Sequence, residues 1–113
     1  MGQPVQTDTY DGNSIVLSDW RVDGNGVLAE GEHTRGEVLG KNADGNFELT
    51  DDATKAEAIL LDDVTVPSGA TANAPILMGG VVAEQDLKLG GTLTLDDVRD
   101  TLRDKNIYLK ARG

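Results

Sequence analysis

His33 is the only histidine of the chain, so any imidazole chemistry, whether a Ser-His-Asp relay or a metal cluster, has to be built on it. The serines open to such a relay are Ser14, Ser18 and Ser68, and none sits in the Gly-x-Ser-x-Gly elbow that lifts a nucleophile out of a strand-to-helix turn. Glu32, Thr34 and Arg35 flank His33, a setting that places it on a polar surface at a strand entrance. The carboxylate pairs Asp51-Asp52, Asp62-Asp63 and Asp96-Asp97 offer the groups a general acid and base would need. Each lies where solvation, turn formation or helix capping accounts for it.

Gly36-Glu37-Val38-Leu39-Gly40-Lys41 has the outline of a phosphate loop, yet it is one residue short, and Asn42 stands where a magnesium-binding Ser or Thr belongs. It also opens no helix whose amides could meet a phosphate. Asn42, Asp44, Asn46 and Glu48 alternate like calcium ligands. Their glycine falls at the fourth position instead of the sixth, and Ala53 occupies the twelfth, where a bidentate glutamate is needed. A hairpin turn explains them better. No cysteine is present, which removes disulfides, thiolate catalysis and zinc ribbons. The expectation is a protein that is not an enzyme, with no cofactor, no metal and no small-molecule substrate.

Twenty acidic residues against ten basic ones give a net charge of -10, a surface that repels phosphate and disfavours direct nucleic-acid binding. An anionic membrane is disfavoured likewise, and the longest near-apolar stretch, 74–83, falls well short of the ~20 residues of a membrane helix. The start, Met1-Gly2-Gln3-Pro4-Val5-Gln6, lacks the basic and apolar run of a secretory signal, so a soluble, unexported protein is expected. With 113 residues the chain has the size of one domain, and stability beyond its modest core is expected from oligomer contacts.

The elements that would position these residues are mostly short strands. Residues 1–30 are rich in Asp, Asn, Gly and Thr around one apolar island, Ser14-Ile15-Val16-Leu17 with Trp20 and Val22. We read them as an N-terminal arm whose Ile15, Val16, Leu17, Trp20 and Val22 contact another protein; the lone tryptophan is either part of a small local cluster or, the reading we favour, an anchor at that interface. An edge strand of the domain's own sheet fits the composition equally well. Residues 31–113 form the domain. Glu37-Val38-Leu39 and Phe47-Glu48-Leu49 flank Asp44-Gly45, a hairpin signal, and Ala56-Glu57-Ala58-Ile59-Leu60-Leu61 reads as a buried strand. Val64-Thr65-Val66 enters a Pro67-Ser68-Gly69 turn, and 70–74 is a polar loop. Pro75-Ile76-Leu77-Met78 is expected to bend or bulge at Gly79-Gly80 before Val81-Val82, and Leu87-Lys88-Leu89 alternates like a strand. A helix is expected over 94–105: Thr94 and Asp97 form a variant capping box, Leu95, Val98 and Leu102 share one face, and Asn106 is a left-handed stop. Ile107-Tyr108-Leu109 follows as a strand, and Lys110 and Arg112 form a basic tip. The fold class is mainly β with one helix.

Arg35-Gly36-Glu37-Val38-Leu39-Gly40-Lys41, Asp44-Gly45, Ala58-Ile59-Leu60 with Asp63-Val64, the stretch 77–81, Leu102-Arg103 and Ile107-Tyr108-Leu109 occur in an order that resembles the lambda-type head decoration proteins of tailed phages, over residues 34–109. The resemblance implies a β-clip-like decoration domain that assembles as a homotrimer. It implies placement at local threefold sites on the outside of the expanded capsid, with the arm on the major capsid protein, after residence in the host cytoplasm. The arm looks longer than in the lambda protein itself, and the Arg-Gly-x-Val-Leu-Gly opening belongs to the wider family, so arm contacts do not carry over residue by residue. A carbohydrate-binding or adhesive surface module is the alternative, weakened by a small aromatic set of Tyr10, Trp20, Phe47 and Tyr108. A hydrolase built on a folded carboxylate pair stands third.

Overall fold

Ala58, Ile59 and Leu60 are all buried, and a strand loses both its faces to the interior only when its sheet is covered on both sides. The computed structural model, which describes residues 15–111, shows how this is done. The strands are β1 (Val22–Leu28), β2 (Gly31–His33), β3 (Val38–Lys41), β4 (Phe47–Leu49), β5 (Ala58–Leu60), β6 (Val64–Val66), β7 (Ala72–Ala83) and β8 (Ile107–Lys110), and the helix is α1 (Leu95–Asp104). The protein is thus mainly β with one helix.

The main sheet runs β1-β4-β3-β5-β7-β8, and β1 pairs with β7 as well. That second pairing curls the first five of these strands into a barrel, sealed where Leu28 meets Phe47 and Ala29 N–H donates to the Phe47 carbonyl at 2.9 Å. Side chains alternate along each strand, so β3, β5 and β7 each feed two cores. Leu39, Ala58, Leu60, Ala74 and Ile76 point into the barrel with Leu28, Phe47 and Val66. Val38, Ile59, Leu77 and Val82 point outward under Val98, Leu102 and Ile107. The pair β2-β6 forms a separate two-stranded sheet.

Local chemistry sets most of these elements. The β3–β4 turn closes with Lys41 opposite Phe47, Asn42 Oδ1 accepting from the N–H of Asp44 and Asn46 at 2.9 and 3.1 Å, and Gly45 at φ 84°, a left-handed conformation that glycine adopts without strain. Asp97 N–H donates to Thr94 Oγ1, and Thr94 N–H to Asp97 Oδ2 at 2.8 Å, completing the capping box. Asn106 at φ 67° ends the helix. β7 carries a bulge: Val22 pairs with Gly79 but Asp23 with Leu77, leaving Met78 as the extra residue.

Three expectations are corrected. The arm assigned to residues 1–30 does not reach that far, because Ile15 and Val16 are core residues, 4 % and 2 % exposed, and β1 lies along β7 over its whole length. The domain therefore includes residues 15–30; residues 1–14 of the expected arm and Arg112 of the basic tip lie outside the described residues. Ala72, Asn73 and Ala74, assigned to a loop, open β7. Leu87-Lys88-Leu89 is no strand and contributes one isolated bridge, Glu37 with Lys88.

Candidate interaction surface

The island of residues 15–22 runs antiparallel to the second half of β7. Ala83 N–H donates to the Ile15 carbonyl at 2.8 Å and Leu17 N–H to the Val81 carbonyl at 2.7 Å. Regular pairing then gives way to a loop over residues 18–21. Ser18 fixes it, its hydroxyl donating to the Trp20 carbonyl at 2.6 Å and accepting from Val81 N–H at 3.0 Å. Arg21 grips Asp23 through Nε and Nη2 at 2.7 and 3.1 Å, a bidentate geometry that orients both side chains.

The two glycines of β7 leave room for this crossing. A Cβ on Gly80 would stand 3.3 Å from Ser18 Oγ and 3.5 Å from the Trp20 carbonyl, and one on Gly79 would stand 3.2 Å from Val22 Cγ2. Trp20 reaches across to β8 and meets Tyr108 edge-on, with ring centroids 6.1 Å apart and planes at 68°, the arrangement aromatic quadrupoles favour. Trp20, Val22, Met78 and Tyr108 remain 50, 53, 48 and 39 % exposed. All four are paired with, or adjacent in sheet or sequence to, Gly79-Gly80 or the loop crossing them.

The five residues expected to contact a partner are therefore split by the fold. Ile15 and Val16 are withdrawn into the core and cannot touch another protein without unfolding. Leu17, Trp20 and Val22 stay exposed. Sequence reasoning missed Met78 and Tyr108, which the fold brings to the same region from 56 and 86 residues further on than Val22. The glycine pair after Met78 was the available signal, since it marks a close backbone approach.

The groups singled out for chemistry are engaged elsewhere. His33 is 7 % exposed, not on the polar surface expected for it. Its Nδ1 lies 3.0 Å from Glu37 Oε1 and its Nε2 2.8 Å from the Ala29 carbonyl. A carbonyl only accepts, so Nε2 carries a proton. Glu37, 5 % exposed, also accepts from Thr34 N–H at 2.9 Å. Asp63 accepts from Arg35 N–H at 2.8 Å and Asp62 from Asp63 N–H at 2.9 Å. Asp52 accepts from the hydroxyl and N–H of Thr54 at 2.6 and 3.0 Å. The Thr54 hydroxyl, then its N–H, hold the Asp52 carboxyl below its ordinary value, with Lys55 adding to the effect. Lys41, the lysine of the incomplete phosphate loop, has Nζ 5.4 Å from the Phe47 ring centre. Among the described residues no group of three or more His, Cys, Asp or Glu side chains is placed to hold a metal ion, and no helix is long and apolar enough to cross a membrane.

Two lysines bracket β8: Lys105, next to Asp104 at the end of α1, precedes it, and Lys110 ends it. Neither lysine has an ion pair among the described residues. Exposed aromatic and thioether side chains near one end of the sheet describe a surface suited to protein contact. No protein-family model matches the chain, and no curated protein matches it either.

Proposed function

We propose that this protein is a capsid decoration protein, which binds as a homotrimer at local threefold sites on the outside of an expanded phage head and braces the shell against the pressure of packaged DNA. The observation that carries this reading is the exposed apolar group of Trp20, Val22, Met78 and Tyr108 on an otherwise strongly acidic domain. Exposed tryptophan, tyrosine and methionine are residue types that anchor protein interfaces, and two of them, Trp20 and Tyr108, are in contact. The order of motifs that resembles the lambda-type decoration proteins names the partner, the major capsid protein. Trimeric assembly makes weak contacts durable, because once one copy has docked the other two bind at high effective concentration. Net charge of -10 keeps decorated particles apart.

The test is co-sedimentation with expanded, undecorated shells. Trp20→Ala with Tyr108→Ala is expected to weaken binding by about a hundredfold, as loss of two central aromatic anchors does, while circular dichroism and melting remain close to wild type. Equal binding by the double variant contradicts the assignment of this surface. The Trp20–Tyr108 pair also favours a second reading, a carbohydrate-binding module, since exposed rings stack on sugars. A glycan array that stays blank while shells bind removes it.

A further inference from the structure

We infer that the outer edge of β8 receives an extended segment of the partner as an added strand, and that this segment carries carboxylates on either side of apolar residues. The inference rests on the contact surface proposed above and names what that surface holds. β8 ends the main sheet and pairs only with β7 among the described residues. Gly80 N–H donates to the Asn106 carbonyl at 3.0 Å. In a parallel pair the groups that face the neighbour recur at every second residue, so Tyr108 and Lys110 face β7. The N–H and C=O of Ile107 and Leu109 face the open side. Such an edge is a template for another strand.

The surroundings of the edge define the chemistry of the guest. Tyr108, backed edge-on by Trp20, gives an apolar wall beside which every second side chain of an added strand would lie. Lys105 and Lys110, at the two ends of β8, repel a basic strand and draw an acidic one. The same lysines act against a second copy docking β8 to β8, because the antiparallel pair would bring like charges together. An acidic, apolar segment of a different protein fits where a second copy does not.

Two variants and a charge-keeping control separate this from the broader reading. Leu109→Pro removes an outward N–H and spares the bonds to β7, but it also withdraws a partly buried leucine from the core, so its melting temperature is read beside its binding. Lys105→Glu with Lys110→Glu reverses the charge, and Lys105→Arg with Lys110→Arg keeps it. The charge reversal leaves the core untouched and carries the comparison. In the shell assay, Leu109→Pro and the charge reversal are each expected to weaken binding by about tenfold or more, and the arginine pair to bind as wild type. If Trp20→Ala with Tyr108→Ala abolishes binding but Leu109→Pro and the charge reversal leave it intact, strand addition is overturned and the contact surface stands. If the wild type binds no shell, the capsid reading fails and strand addition is decided with a synthetic peptide Glu-Val-Thr-Val-Glu against Lys-Val-Thr-Val-Lys. Titrated into the isotope-labelled full chain, the acidic peptide is expected to shift the amide signals of Ile107 and Leu109 saturably and the basic one to leave them unmoved. No shift, or equal shifts with both, overturns the inference.

Discussion

Gly24 and Gly26 lie two residues apart in β1, and the space each leaves is filled differently. A Cβ on Gly26 would stand 2.7 and 2.9 Å from the Phe47 ring and 3.1 Å from Ile76, inside the barrel, whereas one on Gly24 would stand 2.7 Å from Met78 Sδ, the mobile part of an exposed side chain. Gly26→Ala is therefore expected to cost about 1–3 kcal/mol by overpacking and Gly24→Ala much less, both read by urea unfolding; equal costs would contradict the packing described. His33→Ala leaves a buried oxygen of Glu37 without its hydrogen-bond partner and is expected to cost about 1–3 kcal/mol in the same assay. Asp52 bears on pH. Its folded carboxyl is held below the ordinary 3.8, so the stability it adds is present above that value and is lost as pH falls through the lowered one. Asp52→Asn, which keeps a neutral acceptor toward Thr54, is expected to lower the melting temperature at pH 7, with the gap narrowing as pH falls through the lowered value; a gap that does not change with pH would point to another cause.

The elements differ in how far the sequence discloses them. α1 was fully readable, because its cap, its apolar spacing and its left-handed stop at Asn106 all lie within residues 94–106 and need nothing from the rest of the fold. Thr94→Ala is accordingly expected to cost about 1 kcal/mol, measured by thermal unfolding. β5 was readable for the same local reason, a short apolar run. β1 was not: Asp23-Gly24-Asn25-Gly26 has the composition of a loop, and only the distant Phe47, Ile76 and Met78 turn its glycines into a packing feature. The interaction surface was legible by half. Trp20, Leu17 and Val22 stood out as apolar residues in a polar setting, but nothing local tells Ile15 and Val16, which face the core, from their exposed neighbours. Deletion through Leu17 removes two buried side chains and is expected to destabilise the domain by about 3 kcal/mol or more, so a truncation that tests the leading segment alone must stop at Ser14.

Across the whole molecule, closure of β1 onto both β4 and β7 removes most of the edges that make a β protein prone to unwanted pairing. Among the described residues, β8 is the strand of the main sheet that keeps an open side, and it lies beside the exposed Trp20 and between two lysines. An acidic body with one lysine-bearing, aromatic-lined edge favours one orientation of approach, since the acidic faces avoid what the edge attracts. Image reconstruction of expanded shells with and without the protein tests this account most directly. It expects three copies of added density around each local threefold axis, with Trp20 and Tyr108 turned toward the shell. Absence of added density, or copies docked with that face turned to solvent, would contradict it.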